Sequence, residues 1–128
     1  MQVPDDLLYT TTHEWVRIEG DSAVVGITDF AQNQLSDLTF VELPLEGDTV
    51  SFSKEVAVVE SVKAASDVYA PMSGDILEAN QKLESTPEVL NSDPYGEGWL
   101  FKIRLSNPSE RENLLTAEAY RQSMPAEN

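Results

Sequence analysis

Alternation of polar and apolar residues is the main structural signal in the first third of the chain. Residues 13–19 alternate, Gly20-Asp21 is a turn signal, and residues 23–27 resume with apolar strand formers, which together predict a β-hairpin. Residues 28–35 begin with a Thr-Asp pair that can cap a helix, and their apolar positions share one helical side. Residues 39–43 return to alternation before a proline. The pattern predicts strand, turn, strand, short helix and strand.

The dipeptide Gly-Asp recurs at equal spacing, beginning at Gly20, Gly47 and Gly74. The last two copies share a longer frame, because Pro44 and Pro71 precede them and β-forming residues follow, which predicts a turn and then a strand. Two interpretations stay open: a pseudo-repeat of two similar halves, or a turn dipeptide that is simply common. Short strands at this spacing favour an all-β sandwich or flattened barrel in either case.

The pattern changes after residue 80. Residues 85–91 predict one capped helical turn with proline at its first position, and residues 93–98 form a loop by their Pro and Gly content. Residues 99–105 predict a closing strand, and residues 107–120 predict one or two short helices. Residues 122–128 are expected to be a frayed tail.

Length and composition favour one ordinary globular domain spanning residues 1–128. The chain has 128 residues, with 41% hydrophobic and 24% charged, and no apolar run approaches the roughly 20 residues of a membrane span. The N-terminus has neither a basic secretory region nor the Arg-rich character of a transit peptide. We therefore expect no membrane association and a cytoplasmic location, or the mitochondrial matrix if this is a processed organellar form.

Charge and cysteine content limit the possible partners. The formal net charge of -15 opposes binding to nucleic acid and anionic lipid, and it would steer the protein towards basic patches on partner proteins. An acidic surface that only aids solubility is the alternative. Because the chain has no cysteine, disulfides, thiolate metal sites and a cysteine nucleophile are excluded, and any redox sulfur must be brought in. A monomer is the default expectation.

Enzyme hypotheses find little support in the sequence. His13 is the only histidine, which leaves no histidine metal cluster and only one residue around which a catalytic triad could be built. We expect His13 to be a strand residue that makes a local contact beside Trp15. The chain has no phosphate-binding glycine pattern and no nucleophile elbow. The sequence thus predicts a protein that is not itself an enzyme.

Lys63 is the best candidate for a functional centre. It lies between two β-prone runs, residues 56–59 and 68–70, with the small or neutral neighbours Ser61, Val62 and Ala64. A lysine at the tip of a hairpin is accessible to a modifying enzyme and can swing an attached group. An ordinary exposed lysine is the alternative that spacing alone does not exclude.

The sequence around Lys63 resembles the lipoylation hairpin of the H protein family of the glycine cleavage system. The matching segments are ESVKA at 60–64 followed by SDVYAP at 66–71, THEWVRIEGDSAVVGITDFAQ at 12–32, FVELP at 40–44 and NSDPYGEGWL at 91–100. Biotin carriers instead place their lysine between methionines, and the lipoyl domains of 2-oxo acid dehydrogenases usually have Asp before it. The resemblance covers nearly the whole chain. Ser36 and Ser53 depart from it, since the family commonly has glycine at or near these positions.

The resemblance implies a mainly β fold, the lipoyl/biotinyl-type barrel-sandwich hybrid with N-terminal strands and short C-terminal helices. It also implies that Lys63 carries lipoate in amide linkage. A lipoate ligase or lipoyl transferase would recognise the hairpin through the four neighbouring residues Glu60, Ser61, Val62 and Ala64.

The implied function is that of a shuttle in glycine catabolism and one-carbon metabolism. Glycine decarboxylase, a pyridoxal phosphate enzyme, would load an aminomethyl group, aminomethyltransferase would receive it, and dihydrolipoamide dehydrogenase would reoxidise the carrier. Family members fold the loaded arm onto their own surface, and the matching residues here are Thr12, Glu14 and Asp67. Two alternatives remain: an H-like protein that relays lipoate to other enzymes, and an acidic binding module that is never modified.

Overall fold

The computed structural model describes residues 1–124, and the prediction for residues 125–128 of the tail lies outside this range. The strands are β1 (Leu8–Tyr9), β2 (Glu14–Glu19), β3 (Ser22–Ile27), β4 (Leu38–Glu42), β5 (Thr49–Val50), β6 (Glu55–Ser61), β7 (Ala65–Tyr69), β8 (Gly74–Ala79) and β9 (Phe101–Leu105). The helices are α1 (Asp29–Leu35), α2 (Lys82–Ser85), α3 (Val89–Ser92) and α4 (Ala117–Ser123), with a 3-10 helix at Pro108–Asn113. The mainly β character expected from the sequence is confirmed.

Two antiparallel sheets enclose the main core. One has six strands in the order β1-β2-β3-β9-β8-β5, and the other has three in the order β4-β6-β7. Apolar side chains from both sheets, among them Ile103 from the larger and Val59 from the smaller, form one buried cluster. Because strand residues alternate between faces, each sheet supplies this cluster from one of its two faces. On the other face of the larger sheet, Trp15 and Val24 are buried in a second cluster with Tyr120 of α4.

The predicted N-terminal hairpin and the helix after it are both confirmed. Trp15 in β2 pairs with Gly26 in β3, and a Cβ on Gly26 would lie 2.6 Å from the Trp15 ring nitrogen, so only glycine leaves room for this ring. The same nitrogen donates a hydrogen bond to the Pro94 carbonyl at 2.9 Å. Thr28 caps α1 by accepting a hydrogen bond from the Ala31 amide at 3.2 Å. The hairpin is thereby fixed to the rest of the fold.

The prediction that His13 is a strand residue beside Trp15 is wrong. His13 precedes β2 in a left-handed turn, with φ of 72°. Its ring packs on the Phe30 ring, with 4.6 Å between the two ring centres. Its Nδ1 shares a hydrogen bond of 2.8 Å with the Tyr120 hydroxyl, so it connects the start of β2 to α4. Burial lowers the pKa of His13. The role of this histidine is long-range packing.

The Gly-Asp dipeptides have two different roles. Gly20 and Gly47 occupy turns with positive φ of 65° and 88°, as predicted. Gly74 instead begins β8 and pairs with Val50 of β5, so the turn predicted there is wrong. A Cβ on Gly74 would lie 1.9 Å from the Arg104 carbonyl oxygen, and the glycine is needed because two backbones approach closely.

The region between β8 and β9 contains two short helices where the sequence predicted one. The structure has α2 at Lys82–Ser85, which was missed, and α3 at Val89–Ser92, which begins later than expected. Leu83 and Leu90 are both buried, so one apolar residue anchors each helical turn. The loop before β9, the closing strand and the C-terminal helices are confirmed. None of the helices in residues 1–124 is long and apolar enough to cross a membrane.

Ser36 and Ser53, the two departures from the resembled family, both adopt left-handed backbone conformations. Their φ angles are 67° and 68°, in the region that favours glycine. Ser36 also has ψ of -151°, a combination that is costly for any residue with a side chain. The chain therefore retains a glycine-like backbone at both positions while carrying serine.

Candidate functional site

The tip that carries Lys63 is a tight turn between β6 and β7. The Ser61 amide donates to the Ala64 carbonyl at 2.8 Å, which closes the turn around Val62 and Lys63. The Ser61 hydroxyl oxygen accepts hydrogen bonds from the amides of Lys63 at 3.2 Å and Ala64 at 3.1 Å. A single serine side chain thus organises the backbone on both sides of the lysine.

The tip is held by a backbone hydrogen bond to a neighbouring segment, while most of its residues are exposed. The Val62 amide donates to the Asp37 carbonyl at 3.3 Å, which connects the turn to the segment before β4. Glu60, Lys63 and Ala64 are exposed. Val62 is 73% exposed. Within residues 1–124, Lys63 takes part in no ion pair. Its amine is therefore available to a second protein.

A second feature is a cleft at the far end of β7 from Lys63, with a volume of about 220 Å³. Its lining residues come from the turn before β2, the ends of β2 and β7, the segment before β6 and the 3-10 helix: Thr10, Thr11, Thr12, Glu14, Phe52, Ser53, Tyr69, Ala70, Asn113 and Leu114. At roughly 3.3 Å per residue, the length of β7 separates the cleft from the tip by about 13 Å. A strand edge thus joins the two features.

Glu14 is the chemical centre of this cleft. One carboxylate oxygen accepts hydrogen bonds from the hydroxyls of Thr10 and Thr12, each at 2.5 Å. The other oxygen accepts from the Tyr69 amide at 3.2 Å. The residue is 1% exposed. This arrangement fixes the carboxylate in position and uses three donors from two separate parts of the chain.

The electrostatics of Glu14 are unusual for an acidic residue. Burial raises the pKa of this carboxyl, and the hydrogen bonds from Thr10, Thr12 and Tyr69 oppose that rise only in part. No salt bridge to Glu14 occurs in the described part of the chain. A cationic group that entered the cleft would restore the electrostatic stabilisation that the carboxylate loses when it leaves water. The cleft can therefore hold a protonated amine.

The residues implied as arm holders do not all meet. Thr12 and Glu14 share a hydrogen bond in the cleft. Asp67 lies outside the cleft lining, exposed on β7, two residues nearer the tip than Tyr69. Since alternate residues of a strand point to the same face, Asp67 lies on the same side of β7 as Tyr69. Asp67 is thus placed between the tip and the cleft.

Sequence reasoning missed several residues of the cleft. Thr10 is the most important, because its hydroxyl both donates to the Glu14 carboxylate and accepts from the Glu14 amide at 3.0 Å. The run of three threonines before β2 was a usable signal. The backbone amide of Tyr69 and the apolar walls from Phe52 and Leu114 had no such signal, because they reach the cleft only through the tertiary fold.

The amine of Lys63 and the cleft together suit a covalently attached group. Among residues 1–124, no group of three or more His, Asp or Glu side chains could hold a metal ion. Lys63 offers a primary amine that can form an amide with a carboxylic acid. The cleft, about 13 Å from the tip along β7, offers apolar side chains and one buried carboxylate. These features fit a flexible arm that carries a cationic load.

Known proteins match this sequence over nearly its whole length. The sequence model of the family described as glycine cleavage H-protein matches residues 7–127. The glycine cleavage system H protein of Symbiobacterium thermophilum is 57% identical over 118 residues, which cover 92% of each chain. The glycine cleavage system H protein of Alteromonas mediterranea is 56% identical over 126 residues and 98% of each chain.

A solved structure shows the same architecture. The crystal structure of a glycine cleavage system H protein from Mycobacterium marinum superposes with a TM-score of 0.86 and 41% sequence identity. The superposition covers 94% of this chain and 97% of that one. The barrel-sandwich hybrid predicted from the sequence is thereby confirmed.

Proposed function

The chain belongs to the glycine cleavage H-protein family, and we propose that it is the lipoyl-carrying shuttle of the glycine cleavage system, with lipoate on Lys63. The observation that carries the proposal is the hairpin tip, where an exposed lysine with no ion pair among residues 1–124 stands on a turn organised by Ser61. An amide between the lysine amine and the lipoate carboxyl would attach a dithiolane. This group supplies the redox sulfur that a chain without cysteine lacks.

In this proposal, the chain carries the aminomethyl group of glycine and catalyses none of the steps itself. It receives the group from glycine decarboxylase, presents it to aminomethyltransferase, and returns reduced lipoate to dihydrolipoamide dehydrogenase. The protein acts as a monomer, because a shuttle must expose its tip to each enzyme in turn. The named relatives are bacterial, and the proposal therefore places the protein in the cytoplasm.

The cleft around Glu14 would hold the cargo between visits. A protonated amine needs a carboxylate and hydroxyl partners, and the cleft offers Glu14 with Thr12. Asp67 lies along β7 towards the tip, where its exposed carboxylate would guide the amine towards the cleft. The apolar wall from Phe52 and Leu114 would exclude water from the labile group. Each residue here binds or orients the cargo and forms no bond with it.

Recognition of the tip would depend on position. The modifying lipoate ligase or lipoyl transferase would read Glu60, Val62 and Ala64 on the exposed turn, while Ser61 holds the backbone. A shift of the lysine by one residue would turn its side chain to the other face of the hairpin. The turn thus specifies one lysine among the exposed cations.

The decisive test is lipoylation of Lys63→Arg. The purified protein is incubated with a lipoate ligase, ATP and lipoate, and intact mass is measured. We expect the wild type and the control Lys54→Arg, which alters another exposed lysine, to gain one lipoyl group. We expect Lys63→Arg to gain none while its circular dichroism spectrum stays unchanged. A lipoyl adduct on Lys63→Arg would overturn the assignment.

A second experiment separates glycine cleavage from a lipoate relay. The lipoylated protein is added to purified glycine decarboxylase, and exchange of labelled bicarbonate into glycine is measured. A shuttle supports exchange in proportion to its lipoylated fraction. A protein that passes lipoyl groups to other acceptors without supporting exchange would contradict the proposed role and favour the relay.

A further inference from the structure

A second cleft, separate from the Glu14 site, has features of a binding site for a cation. It has a volume of about 630 Å³ and lies between the β4–β5 connection, the end of β8, the start of α2 and the loop before β9. Among the residues that line it are Leu45, Glu46, Asn80, Glu97 and Trp99. We propose that this cleft docks an arginine side chain on one of the enzymes that the shuttle visits.

Asn80 shows that the cleft offers a fixed hydrogen-bond acceptor. This residue is 5% exposed, and its side-chain nitrogen donates to the carbonyls of Glu97 at 2.9 Å and Trp99 at 2.8 Å. These two bonds determine the orientation of the amide, so its oxygen must be the remaining polar atom. That oxygen accepts no hydrogen bond within residues 1–124.

Solvent reaches the side-chain oxygen of Asn80. No buried side-chain polar atom among the described residues lacks a hydrogen-bond partner, and the free Asn80 oxygen must therefore be in contact with solvent. Asn80 is one of the residues that line the cleft. The acceptor is available to a donor that enters from outside.

The charges around Asn80 favour a positively charged donor. Three lining carboxylates, those of Glu46, Glu78 and Glu97, outnumber the one lining cation, Lys82. Glu46 and Glu97 are exposed and take part in no salt bridge in the described part of the chain. A positive group would thus meet two free carboxylates and one neutral acceptor.

The protein's own Lys102 already uses this chemistry at the edge of the cleft. Its ammonium lies 5.0 Å from the centre of the Trp99 ring and 3.5 Å from the Glu78 carboxylate. The combination of an aromatic face and a carboxylate is therefore a favourable environment for a cation here. The same Trp99 ring lines the cleft together with the carboxylates of Glu46 and Glu97, and Lys82 is the one cation among the lining residues.

Arginine fits this site better than lysine. A guanidinium carries five donors in a flat, rigid fork and stacks on aromatic rings, so it can meet several acceptors beside Trp99 at once. Its apolar stem would cover Leu45, which is 70% exposed. Leu45 and the preceding Pro44 both line the cleft. A side chain that extends from a folded partner also explains why the cleft is larger than a single cation needs.

The position of the cleft suits a shuttle. Leu38, at the start of β4, pairs with Ser61 beside the Lys63 turn, whereas Glu42, at its end, pairs with Val58. The β4–β5 connection therefore leads away from the tip. A partner anchored there would leave Lys63 free to enter an active site. This inference rests on the proposed shuttle function, since it assigns the docked arginine to an enzyme of that system.

A binding experiment tests the cleft without lipoate. The unmodified protein, labelled with nitrogen-15, is titrated with N-acetyl-arginine methylamide, and with the lysine analogue as a matched probe. We expect saturable shifts of the Asn80 side-chain amide and the Trp99 indole signal with the arginine probe and weaker ones with lysine. Glu97→Gln and Glu46→Gln should each weaken arginine binding about three- to tenfold. Glu118→Gln, an exposed acid on α4, should not change it.

An enzymatic experiment tests the partner. Lipoylated Glu97→Gln is compared with lipoylated Glu118→Gln as a substrate of each purified enzyme of the system. We expect a KM several-fold higher for Glu97→Gln with at least one enzyme, an unchanged kcat, and a difference that shrinks as salt rises. Lipoylation of Lys63 should be equal in both variants, so failure of the docking site is distinguishable from failure of the carrier assignment.

Two results would overturn the inference. One is arginine binding that misses Asn80 and Trp99 or is matched by the lysine analogue. The other is an unchanged KM with all three enzymes.

Discussion

The tip at Lys63 and the cleft at Glu14 treat a charged side chain in opposite ways, although one strand, β7, joins them. Lys63 remains in water with no ion pair in the described part of the chain. Glu14 is 1% exposed, and three hydrogen-bond donors surround its carboxylate. The tip is accessible to other proteins, and we propose that the cleft retains a ligand.

The difference has an energetic basis. An exposed lysine loses almost no solvation on folding, so attachment of a group to it should change the stability of the fold very little. A buried carboxylate without a cation lowers stability, and this cost persists unless a positive group binds. Among the described residues, the fold therefore leaves the buried Glu14 carboxylate without a compensating cation, whereas the exposed Lys63 amine is compensated by water.

The largest effect that we expect on this contrast is loss of stability in Thr10→Val. Valine has nearly the shape of threonine but lacks the hydroxyl that donates to the Glu14 carboxylate and accepts from its amide. We expect the free energy of unfolding to fall by about 2 kcal/mol, because a buried charge loses a donor. Urea denaturation measures this. The control Thr11→Val alters an exposed neighbour on the same cleft and should cost much less; equal losses would contradict the special role of Thr10.

The pH dependence of stability should isolate the Glu14 carboxylate. Burial raises its pKa in the folded state, so between the unfolded and folded pKa values the native protein binds more protons than the unfolded chain. The contribution of Glu14 to the free energy of unfolding therefore falls as pH rises from below 4.5, the ordinary pKa of this carboxyl, through its higher pKa in the folded state. In Glu14→Gln this contribution is absent, and its stability relative to wild type should rise across that range. Urea denaturation at a series of pH values checks it, and a constant difference would contradict a raised pKa.

The sequence predicted the tip well because its determinants are local. Two β-prone runs and a short turn around Lys63 lie within one continuous segment, and the turn forms from bonds among Ser61, Lys63 and Ala64. Patterns of neighbouring residues carry this information directly. The same reason explains why the N-terminal hairpin and its capped helix were predicted correctly.

The cleft was predicted only in part because it depends on distant residues. Glu14 and Thr12 were named from the resemblance, but the Tyr69 amide is 55 positions away from Glu14 in sequence. The placement of His13 failed for the same reason, since its partner Tyr120 is 107 positions away. The turn predicted at Gly74 failed because its close contact with the Arg104 backbone arises only when β8 and β9 pair.

A smaller change should strengthen the support behind the tip. Ser36 has φ of 67° and ψ of -151°, a conformation suited to glycine, and the adjacent Asp37 carbonyl accepts the Val62 amide of the turn. Ser36→Gly should raise the free energy of unfolding by about 1 kcal/mol, because removal of the side chain relieves strain. Thermal unfolding measures the gain. Ser36→Ala keeps a Cβ and serves as the control, and an equal gain in that variant would show that strain is not the cause.

The smallest effect should come from Ser61→Ala at the tip itself. The lost hydroxyl accepts two amide hydrogen bonds, from Lys63 and Ala64, but both amides are exposed and water can replace it. We expect a loss of only about 0.5 kcal/mol in urea denaturation, at the low end for a hydrogen bond, in contrast to the loss in Thr10→Val. Because the turn also positions the lysine, lipoylation should slow about two- to fivefold while the final yield stays complete, which a time course of intact mass measures. An equal loss of stability in Ser61→Ala and Thr10→Val would contradict this contrast. It would mean that the exposed turn at Lys63 contributes as much to the stability of the fold as the hydrogen bonds to the buried Glu14 carboxylate.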